Sequence, residues 1–293
     1  MKKLLNTLFV LNDKSYLTLE RENIVVSVKD ETSHKFPLHI FESIFCFSYP
    51  GASPELIGKC CKIGVEMSFF STRGDFLFSP QGKENGNVLL RRMQYRFADN
   101  EEQCTKLSQN LVGAKLYNSR WVLERYIRDH CEDVNVEKLK KVSLNLKENI
   151  HIAKTCQNRK ALLGCEGNCA RQYFSVFSEL LLNKDFSFNG RNRRPPKDEI
   201  NALLSFGYVI LSLDCANGLR GVGLDSYVGV YHVDRPGRKS LALDLEEELR
   251  APIVDRFVLM LINKNYIKLN DFEKDTSGAV LLSDSGRKKF FQY

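Results

Sequence analysis

The spacing of apolar residues changes along the chain. Up to about residue 80, apolar and β-branched residues alternate or cluster in short runs, which is typical of strands. Farther along, apolar residues recur at three- and four-residue steps, which predicts helices over residues 88–96, 104–128 and 136–153. Proline is absent from residues 81–194, so no residue there is expected to interrupt a helix. The pattern predicts an α+β fold in which the strands come first.

These predicted elements fall into two domains. A chain of 293 residues is long for one core and suits two. Residues 79–87 contain Pro, Gly and Asn and are interpreted as a linker. We therefore predict a β-sandwich-like N-terminal domain over residues 1–84 and a larger all-α domain over residues 88–293. The polar end of the chain, residues 264–293, is expected to be a mobile or partner-docking tail.

The composition is that of a soluble globular protein, with 43% hydrophobic and 27% charged residues. Asn6 interrupts the apolar run at the N-terminus, and no stretch approaches about 18 apolar residues. We therefore expect no membrane span and a cytoplasmic location. The nine cysteines are odd in number and lack the paired spacing of a zinc site, which favours reduced thiols.

Positive charge is distributed unevenly along the chain. Residues 1–84 hold 10 Lys and Arg and 10 Asp and Glu, whereas the remainder holds 33 against 26. The whole net charge of +7 therefore lies in the C-terminal part. This asymmetry indicates an anionic partner such as nucleic acid for that part. The alternative is an ordinary solvated surface.

Glu166 is the first candidate for chemistry. Tyr173 and Phe177 follow it at helical spacing, so Glu166 shares a face with apolar residues and is expected to point inward. A buried carboxylate must be paired or bound to a metal, because burying it alone costs several kcal/mol. The alternative is an acidic residue near a helix N-terminus, where it would complement the helix dipole.

His232, Asp244 and Glu247 are further candidates. Asp244 and Glu247 are three residues apart, so they lie on one face of a helix. Glu, His and Asp are together the ligands that a hard divalent ion such as Mg²⁺ or Mn²⁺ accepts. The alternatives are a capping box for the acidic pair and a surface or structurally satisfied role for the histidine.

Basic residues surround these candidates in the sequence. Arginine matches phosphate oxygens with two parallel hydrogen bonds, although a solvated linker between helices is the alternative. The candidates for nucleic-acid binding are Arg191, Arg193, Arg194, Lys197, Arg235, Arg238 and Lys239. The polar candidates to surround the metal or to contact DNA are Asn168, Tyr173, Asn201, Ser205 and Tyr208.

Several of these segments also resemble one family. They are Glu166-Gly-Asn-x-Ala-Arg-x-Tyr-Phe, Phe188-Asn-Gly-Arg-Asn-Arg-Arg-Pro-Pro, His232, and Leu241-Ala-Leu-Asp-Leu-Glu-Glu-Glu-Leu-Arg-Ala-Pro. They resemble the CRISPR adaptation integrase family known as "Cas one", and residues 87–96 are similar to its interdomain segment. The resemblance is most specific over residues 164–256 and looks closest to the type I-C form. Members often carry Met at the position of Glu246, so that residue departs from the family pattern.

The resemblance implies a homodimer. Because residues 1–84 are neutral and β-rich, we expect them to dimerise, whereas residues 88–293 are expected to bind metal and DNA. The resemblance also implies that Glu166, His232 and Asp244 are catalytic and bind Mg²⁺ or Mn²⁺, with Glu247 as a further ligand. The implied reaction inserts protospacer DNA into a CRISPR array, by attack of a 3′-hydroxyl on a repeat phosphodiester. The implied protein partners are the small ferredoxin-like "Cas two" protein and an iron–sulfur exonuclease.

Two other functions stay open on the sequence. One is a stand-alone metal-dependent nuclease acting on branched or single-stranded DNA. The other is a non-catalytic nucleic-acid-binding scaffold.

Overall fold

The computed structural model describes residues 6–71, 74–82, 87–192 and 195–293. The strands are β1 (Thr7–Val10), β2 (Tyr16–Glu20), β3 (Asn23–Ser27), β4 (His34–Pro37), β5 (Ser43–Cys46), β6 (Glu66–Phe70), β7 (Phe76–Phe78), β8 (Phe272–Lys274) and β9 (Val280–Leu282). The helices are α1 (Pro54–Ile63), α2 (Val88–Ala98), α3 (Glu101–Asp129), α4 (Val136–Thr155), α5 (Arg159–Ser175), α6 (Glu199–Gly221), α7 (Ser240–Leu249), α8 (Arg256–Asn263) and α9 (Asp284–Gln292). The predicted α+β class is confirmed.

The chain divides into two compact units. One combines Met1–Asn85 with Ser283–Tyr293, and the other is Gly86–Leu282. The predicted boundary placed residues 283–293 in the helical domain, whereas the structure groups them with the β-rich unit.

Two sheets share the core of the β-rich unit. In the first, β1, β5, β6 and β7 lie in this order, with β1, β5 and β6 parallel and β7 antiparallel to β6. The second sheet is the antiparallel set β2, β3 and β4. Leu17 and Ile24 from the second sheet and Ile44 and Met67 from the first are buried in one hydrophobic cluster. This shared core agrees with the predicted sandwich-like domain.

Helix α1 makes the crossover between the parallel strands β5 and β6, which a short turn could not connect. Ser53 caps it by accepting a hydrogen bond from the Leu56 amide at 3.3 Å, and Pro54 occupies the first turn. Gly64 ends the helix in the left-handed conformation, at φ 79°. Leu56 and Cys60 face the shared core.

The C-terminal segment is folded, not a loose tail. Strands β8 and β9 form an antiparallel pair, and α9 follows with Ser283 as its N-cap. The Phe291 ring stacks on Phe9, with 4.1 Å between ring centroids, and lies 5.6 Å from Phe47. These aromatic contacts attach α9 to the β-rich unit.

Polar caps start the long helices of the second unit. Each capping side chain accepts a hydrogen bond from an amide of the first turn, and the caps are Asn87, Asn100, Asn135, Asn158 and Asp198. Helix α3 packs against α4, α5 and α7. It therefore contacts both helices that carry the predicted carboxylates.

Helix α6 is the most deeply buried of the long helices described. By length and composition it is the one described helix that could cross a membrane, and 61% of its apolar window is buried inside the protein. An apolar surface on all sides is also typical of a core helix. The burial of Leu203, Leu204 and Ala216 at 0% exposure accounts for its composition.

We expect Phe291→Ala to destabilise the protein by about 2 kcal/mol, because it removes a packed ring and the contacts of that ring with other aromatic side chains. Tyr49→Ala is the control, since Tyr49 is 91% exposed in the same unit. Urea unfolding followed by circular dichroism measures both. Equal midpoints for the two variants would contradict the packing role of α9.

Candidate active site

Three helices supply the charged side chains of one cleft. Helix α5 carries Glu166, α7 carries Glu247 and α3 carries Lys115. Glu166 lies in the middle of α5, not in its first turn. The alternative that it complements a helix dipole therefore does not apply, since that effect is confined to the terminal turn.

Lys115 lies between the two glutamates. Its ammonium nitrogen contacts Glu166 Oε1 and approaches Glu247 Oε2 to 2.6 Å. The side chains are only 13%, 17% and 8% exposed, in the order Lys115, Glu166, Glu247. Burial would lower the pKa of Lys115, but the carboxylates of Glu247 and Glu166 more than offset this and raise it. Burial likewise opposes ionisation of Glu247, yet Lys115 and Arg250 lower its pKa to about 2.

Arg250 links Glu247 to Glu246. Arg250 begins a π-helical segment, Arg250–Asp255, directly after α7. Its Nη1 donates to Glu247 Oε1 at 2.6 Å, and its Nε donates to Glu246 Oε1 at 2.8 Å. Burial raises the pKa of Glu246, and Arg250 opposes the shift. Glu246, which departs from the family pattern, thus forms a buried ion pair with Arg250.

Asp244 holds the loop that carries His232. Its carboxylate accepts hydrogen bonds from the backbone amides of Val230, Tyr231 and His232, at 2.7, 2.9 and 2.8 Å. Asp244 is 1% exposed and is the fifth residue of α7, so the alternative of a capping box does not apply. Gly229 is required in this loop, because a Cβ there would lie 2.6 Å from the His232 carbonyl oxygen.

The His232 ring is oriented by the same carboxylate. Its Nδ1 lies 2.7 Å from Asp244 Oδ1, which directs Nε2 away from Asp244. A carboxylate behind one ring nitrogen is the usual support of a histidine whose other nitrogen binds a metal. A protonated His232 would also lower the pKa of Glu247, after the larger effects of burial, Lys115 and Arg250.

The four predicted ligands therefore have different partners in the structure. Glu166 and Glu247 share the Lys115 ammonium, His232 is electrostatically coupled to Glu247, and Asp244 is occupied by the loop. Within the described ranges, no three His, Cys, Asp or Glu side chains are close enough to hold a metal ion as they stand.

Tyr231 borders this cluster. Its hydroxyl is buried and lacks a hydrogen-bond partner among the described residues. Burial raises its pKa, and the charges of Glu166, Glu247 and Asp244 raise it further. An orphaned hydroxyl beside two carboxylates suits a water or a hydrated ion, so the donor set fits a hard divalent cation.

Tyr208 lies in a second buried network on the same cleft. Its hydroxyl donates to Asp255 Oδ1 at 2.5 Å. The guanidinium groups of Arg250 and Arg191 lie 4.9 and 5.3 Å from its ring centroid. Burial raises the pKa of Asp255 to about 6, against the lowering effect of the Tyr208 hydrogen bond. Tyr173 also lines the cleft.

Arg191 points into the protein. Its Nη1 donates to Asn201 Oδ1 at 2.7 Å, and its Nη2 donates to Ser205 Oγ at 3.0 Å. Asn201 is fully buried and also donates to the Gly190 carbonyl oxygen at 2.9 Å. The predicted polar stripe of Asn201, Ser205 and Tyr208 therefore binds an arginine of the same chain. Asn168 is exposed on α5.

The other predicted basic residues differ in exposure. Lys197 and Arg235 are exposed. Arg238 donates through Nη2 to the Val233 carbonyl oxygen and is half-buried, as is Lys239. Arg193 and Arg194 lie outside the described residues.

Sequence reasoning missed Lys115, Arg250 and Asp255, which line the cleft, and the buried hydroxyl of Tyr231. Arg250 follows Glu246 and Glu247 by four and three residues, a spacing that indicates helical ion pairs. Lys115 has no comparable signal, because it is 51 residues from Glu166.

Comparison with known proteins identifies the family. A family model described as CRISPR associated protein Cas1 matches residues 8–293. The chain is 44% identical over 290 residues to CRISPR-associated endonuclease Cas1 1 of Chlorobaculum tepidum, covering 98% of this chain and 84% of that protein. It is 41% identical over 294 residues to Cas1 2 of Rhodospirillum rubrum, covering 98% and 85%. The chain belongs to the Cas1 family, which confirms the predicted family, and both relatives carry the predicted name endonuclease. The type I-C assignment stays a prediction.

Solved structures share the fold. A casposase bound to its integration product superposes with a TM-score of 0.83 at 24% identity, covering 98% of this chain and 81% of that one. A CAS1 protein from Thermotoga maritima gives a TM-score of 0.82 at 22% identity, covering 98% of this chain and 88% of that one.

Two further relatives combine Cas1 with other proteins. A Cas4/Cas1 fusion of Geobacter sulfurreducens is 32% identical over 288 residues, covering 97% of this chain and 51% of that protein. A Cas6-RT-Cas1–Cas2 complex contains a chain with a TM-score of 0.80 at 25% identity, covered for 32% of its length by all of this one.

The buried Asp255 predicts a dependence of stability on pH. Because folding raises its pKa to about 6, the folded state binds the proton more tightly than the unfolded state. The stabilisation is complete below the unfolded pKa of about 4 and is lost as pH rises through about 6. Wild type should therefore lose up to about 3 kcal/mol relative to Asp255→Asn between pH 4 and 7.

Urea unfolding at a series of pH values measures this difference. A constant stability gap between the two proteins over that range would show that Asp255 ionises normally.

Proposed function

We propose that this chain is a metal-dependent DNA integrase and endonuclease of spacer acquisition. In the proposed reaction, the 3′-hydroxyl of a protospacer strand attacks a phosphodiester of the CRISPR repeat. A new bond forms between this oxygen and the phosphorus, and the bond from the phosphorus to the 3′-oxygen of the repeat strand breaks, which leaves a 3′-hydroxyl on that strand. Membership of the Cas1 family and the name endonuclease of its relatives support the coarser part of this proposal. The observation that carries the finer part is the pair of buried glutamates, Glu166 and Glu247, which share the Lys115 ammonium.

In this proposal a Mg²⁺ or Mn²⁺ ion is held by Glu166, Glu247 and Nε2 of His232. Carboxylate oxygens and one imidazole form a suitable donor set for these ions. When bound, the ion would stabilise the negative charge that develops at the attacked phosphate. The family resemblance implies that Asp244 is also a metal ligand. We assign it the role of fixing the His232 tautomer and ring, because its oxygens already accept from the 230–232 amides and face Nδ1.

The remaining residues of the cleft keep these groups in place. Arg250 balances the charge of Glu247 and is itself fixed by Glu246 and by the Tyr208 ring. Tyr208 is fixed in turn by Asp255. Such locked side chains suit a site that must keep its geometry while a large anionic substrate binds.

We further propose that DNA binds the Gly86–Leu282 unit, which follows from the positive charge of that part of the sequence. The protein partners proposed are a second copy of this chain, paired through the β-rich unit, and the small Cas2 protein. The complex named Cas6-RT-Cas1–Cas2 supports a Cas2 partner. The Cas4/Cas1 fusion supports an exonuclease of that type, which would be the iron–sulfur enzyme. The proposed reaction belongs in the cytoplasm.

We expect Glu166→Gln and Glu247→Gln each to reduce strand joining by about 100-fold or more, because each removes a charged ligand from the reacting centre. Glu248→Gln is the matched control, since Glu248 is adjacent on α7 and is not among the described residues that line the cleft. The assay measures Mn²⁺-dependent joining of a 3′-hydroxyl oligonucleotide to a repeat duplex, with cleavage of branched DNA in parallel.

Full joining activity in Glu247→Gln would refute the assignment of this residue. Cleavage without joining in the wild type would favour a nuclease function instead.

Exposed Lys197 and Arg235 are expected to contact phosphates. For duplex DNA, the logarithm of the binding constant falls linearly with the logarithm of the salt concentration, and each phosphate contact contributes about 0.9 to the steepness of this fall. The double change Lys197→Ala with Arg235→Ala should therefore make the slope less steep by about 2. Lys140→Ala with Lys141→Ala, two exposed residues of α4, is the control of equal charge. Fluorescence anisotropy over a salt series gives the slopes. Equal slopes for the two double variants would remove Lys197 and Arg235 from the DNA surface.

A further inference from the structure

The Lys115 ammonium occupies the position between two carboxylates that the proposed function gives to a divalent ion. It contacts Glu166 Oε1 and lies 2.6 Å from Glu247 Oε2. A Mg²⁺ or Mn²⁺ ion held by Glu166 and Glu247 would have to take its place between the same two carboxylates. Two cations cannot share that space, because their charges repel and their radii overlap. Ion and ammonium must therefore exclude one another.

The second cation of the cluster does not face this conflict. Arg250 uses Glu247 Oε1, whereas Lys115 faces Oε2 of the same carboxylate. Arg250 is also held by Glu246 at 2.8 Å and lies over the Tyr208 ring at 4.9 Å. An ion can therefore reach Oε2 of Glu247 while Arg250 stays where it is.

Lys115 is the cation that can move. Among the described residues its ammonium forms ion pairs with the two glutamates and with no other side chain. Its four-carbon stem is flexible, and an ammonium is a point charge without the fixed fork of a guanidinium. The burial of all three groups means that the glutamates need a cation at all times, since two unpaired carboxylates that reach the same ammonium would repel each other.

We propose that Lys115 is a built-in competitor of the divalent ion, which holds Glu166 and Glu247 together and leaves their shared position when the ion binds. The inference rests on the proposed metal-dependent function. It assigns Lys115 a positioning role: the residue keeps the carboxylates ionised and paired, and it weakens ion binding by the free energy of its own displacement. The apparent affinity for the ion is thus set by an ammonium as well as by the ligands.

The test measures Mn²⁺ binding to the full chain after chelator treatment, by electron paramagnetic resonance of free Mn²⁺. Lys115→Met should bind Mn²⁺ about tenfold or more tightly than wild type, because no cation has to be displaced. Lys115→Arg should bind no more tightly than wild type, since it keeps the charge. Lys106→Met is the control, because Lys106 pairs with Glu102 at an exposed position of the same helix. Unchanged or weaker binding by Lys115→Met would overturn the proposal.

Thermal stability gives an independent readout. In chelator, Lys115→Met should melt below wild type, because two carboxylates are left facing each other. Saturating Mn²⁺ should remove this difference. A merely structural lysine would leave the difference in place with Mn²⁺ present, and that result would contradict the competitor role.

If Lys115→Met does not fold, the wild type can be tested alone. Acetylation by an activated ester, read by mass spectrometry, should label Lys115 several-fold faster with Mn²⁺ present, and an unchanged or slower rate would overturn the proposal. Failure of this inference differs from failure of the proposed function. If the wild type binds no Mn²⁺, or if Glu166→Gln binds Mn²⁺ as well as the wild type does, the metal site itself is refuted. If such binding exists and Lys115→Met does not tighten it, only the competitor role is refuted.

Discussion

Charge pairing inside the cleft is the constraint on which the rest of the helical unit depends. Glu166 and Glu247 come from different helices and are largely shielded from water, so each is stable only while a cation lies beside it. Lys115 on α3 meets this requirement for both at once. Because α3 packs against α5 and α7, the arrangement of these helices and the ionisation of the two glutamates stabilise each other.

Asp244 and Glu247 illustrate how two acidic residues on one helix face acquire different roles. Their three-residue spacing places both on one face of α7, so the sequence alone does not show which of the two binds a ligand. The neighbouring groups do so: backbone amides of the 230–232 loop meet Asp244, whereas Lys115 and Arg250 meet Glu247. A carboxylate saturated by amide donors positions its surroundings, and one held by exchangeable charge is available to a ligand.

The extent to which sequence predicted this molecule follows from how local each signal is. The strand-to-helix change of period and the inward direction of Glu166 depend on residues a few positions apart, and both could be predicted. Family motifs led to the Cas1 assignment, which the comparisons confirmed. Lys115 could not be predicted, because its pairing with Glu166 depends on how distant helices pack. The binding of phosphate by Arg191 stays a prediction; its hydrogen bonds to Asn201 and Ser205 could not be predicted from the sequence. The C-terminal segment appeared polar and loose because the aromatic contacts of Phe291 join it to strands at the other end of the sequence.

The return of α9 to the β-rich unit makes the helical unit an insertion, with chain crossings at residues 85–86 and 282–283. A protease that cut only the first crossing would leave α9 packed on β1 through Phe9 and Phe291. The two fragments would then migrate together under native conditions and separate only in denaturant. Removal of residues 1–84 would take away the strands on which α9 packs. It would thereby expose Phe290 and Phe291 to water and favour aggregation. Isolating the helical unit therefore requires ending the chain near residue 282 as well as starting it near residue 86.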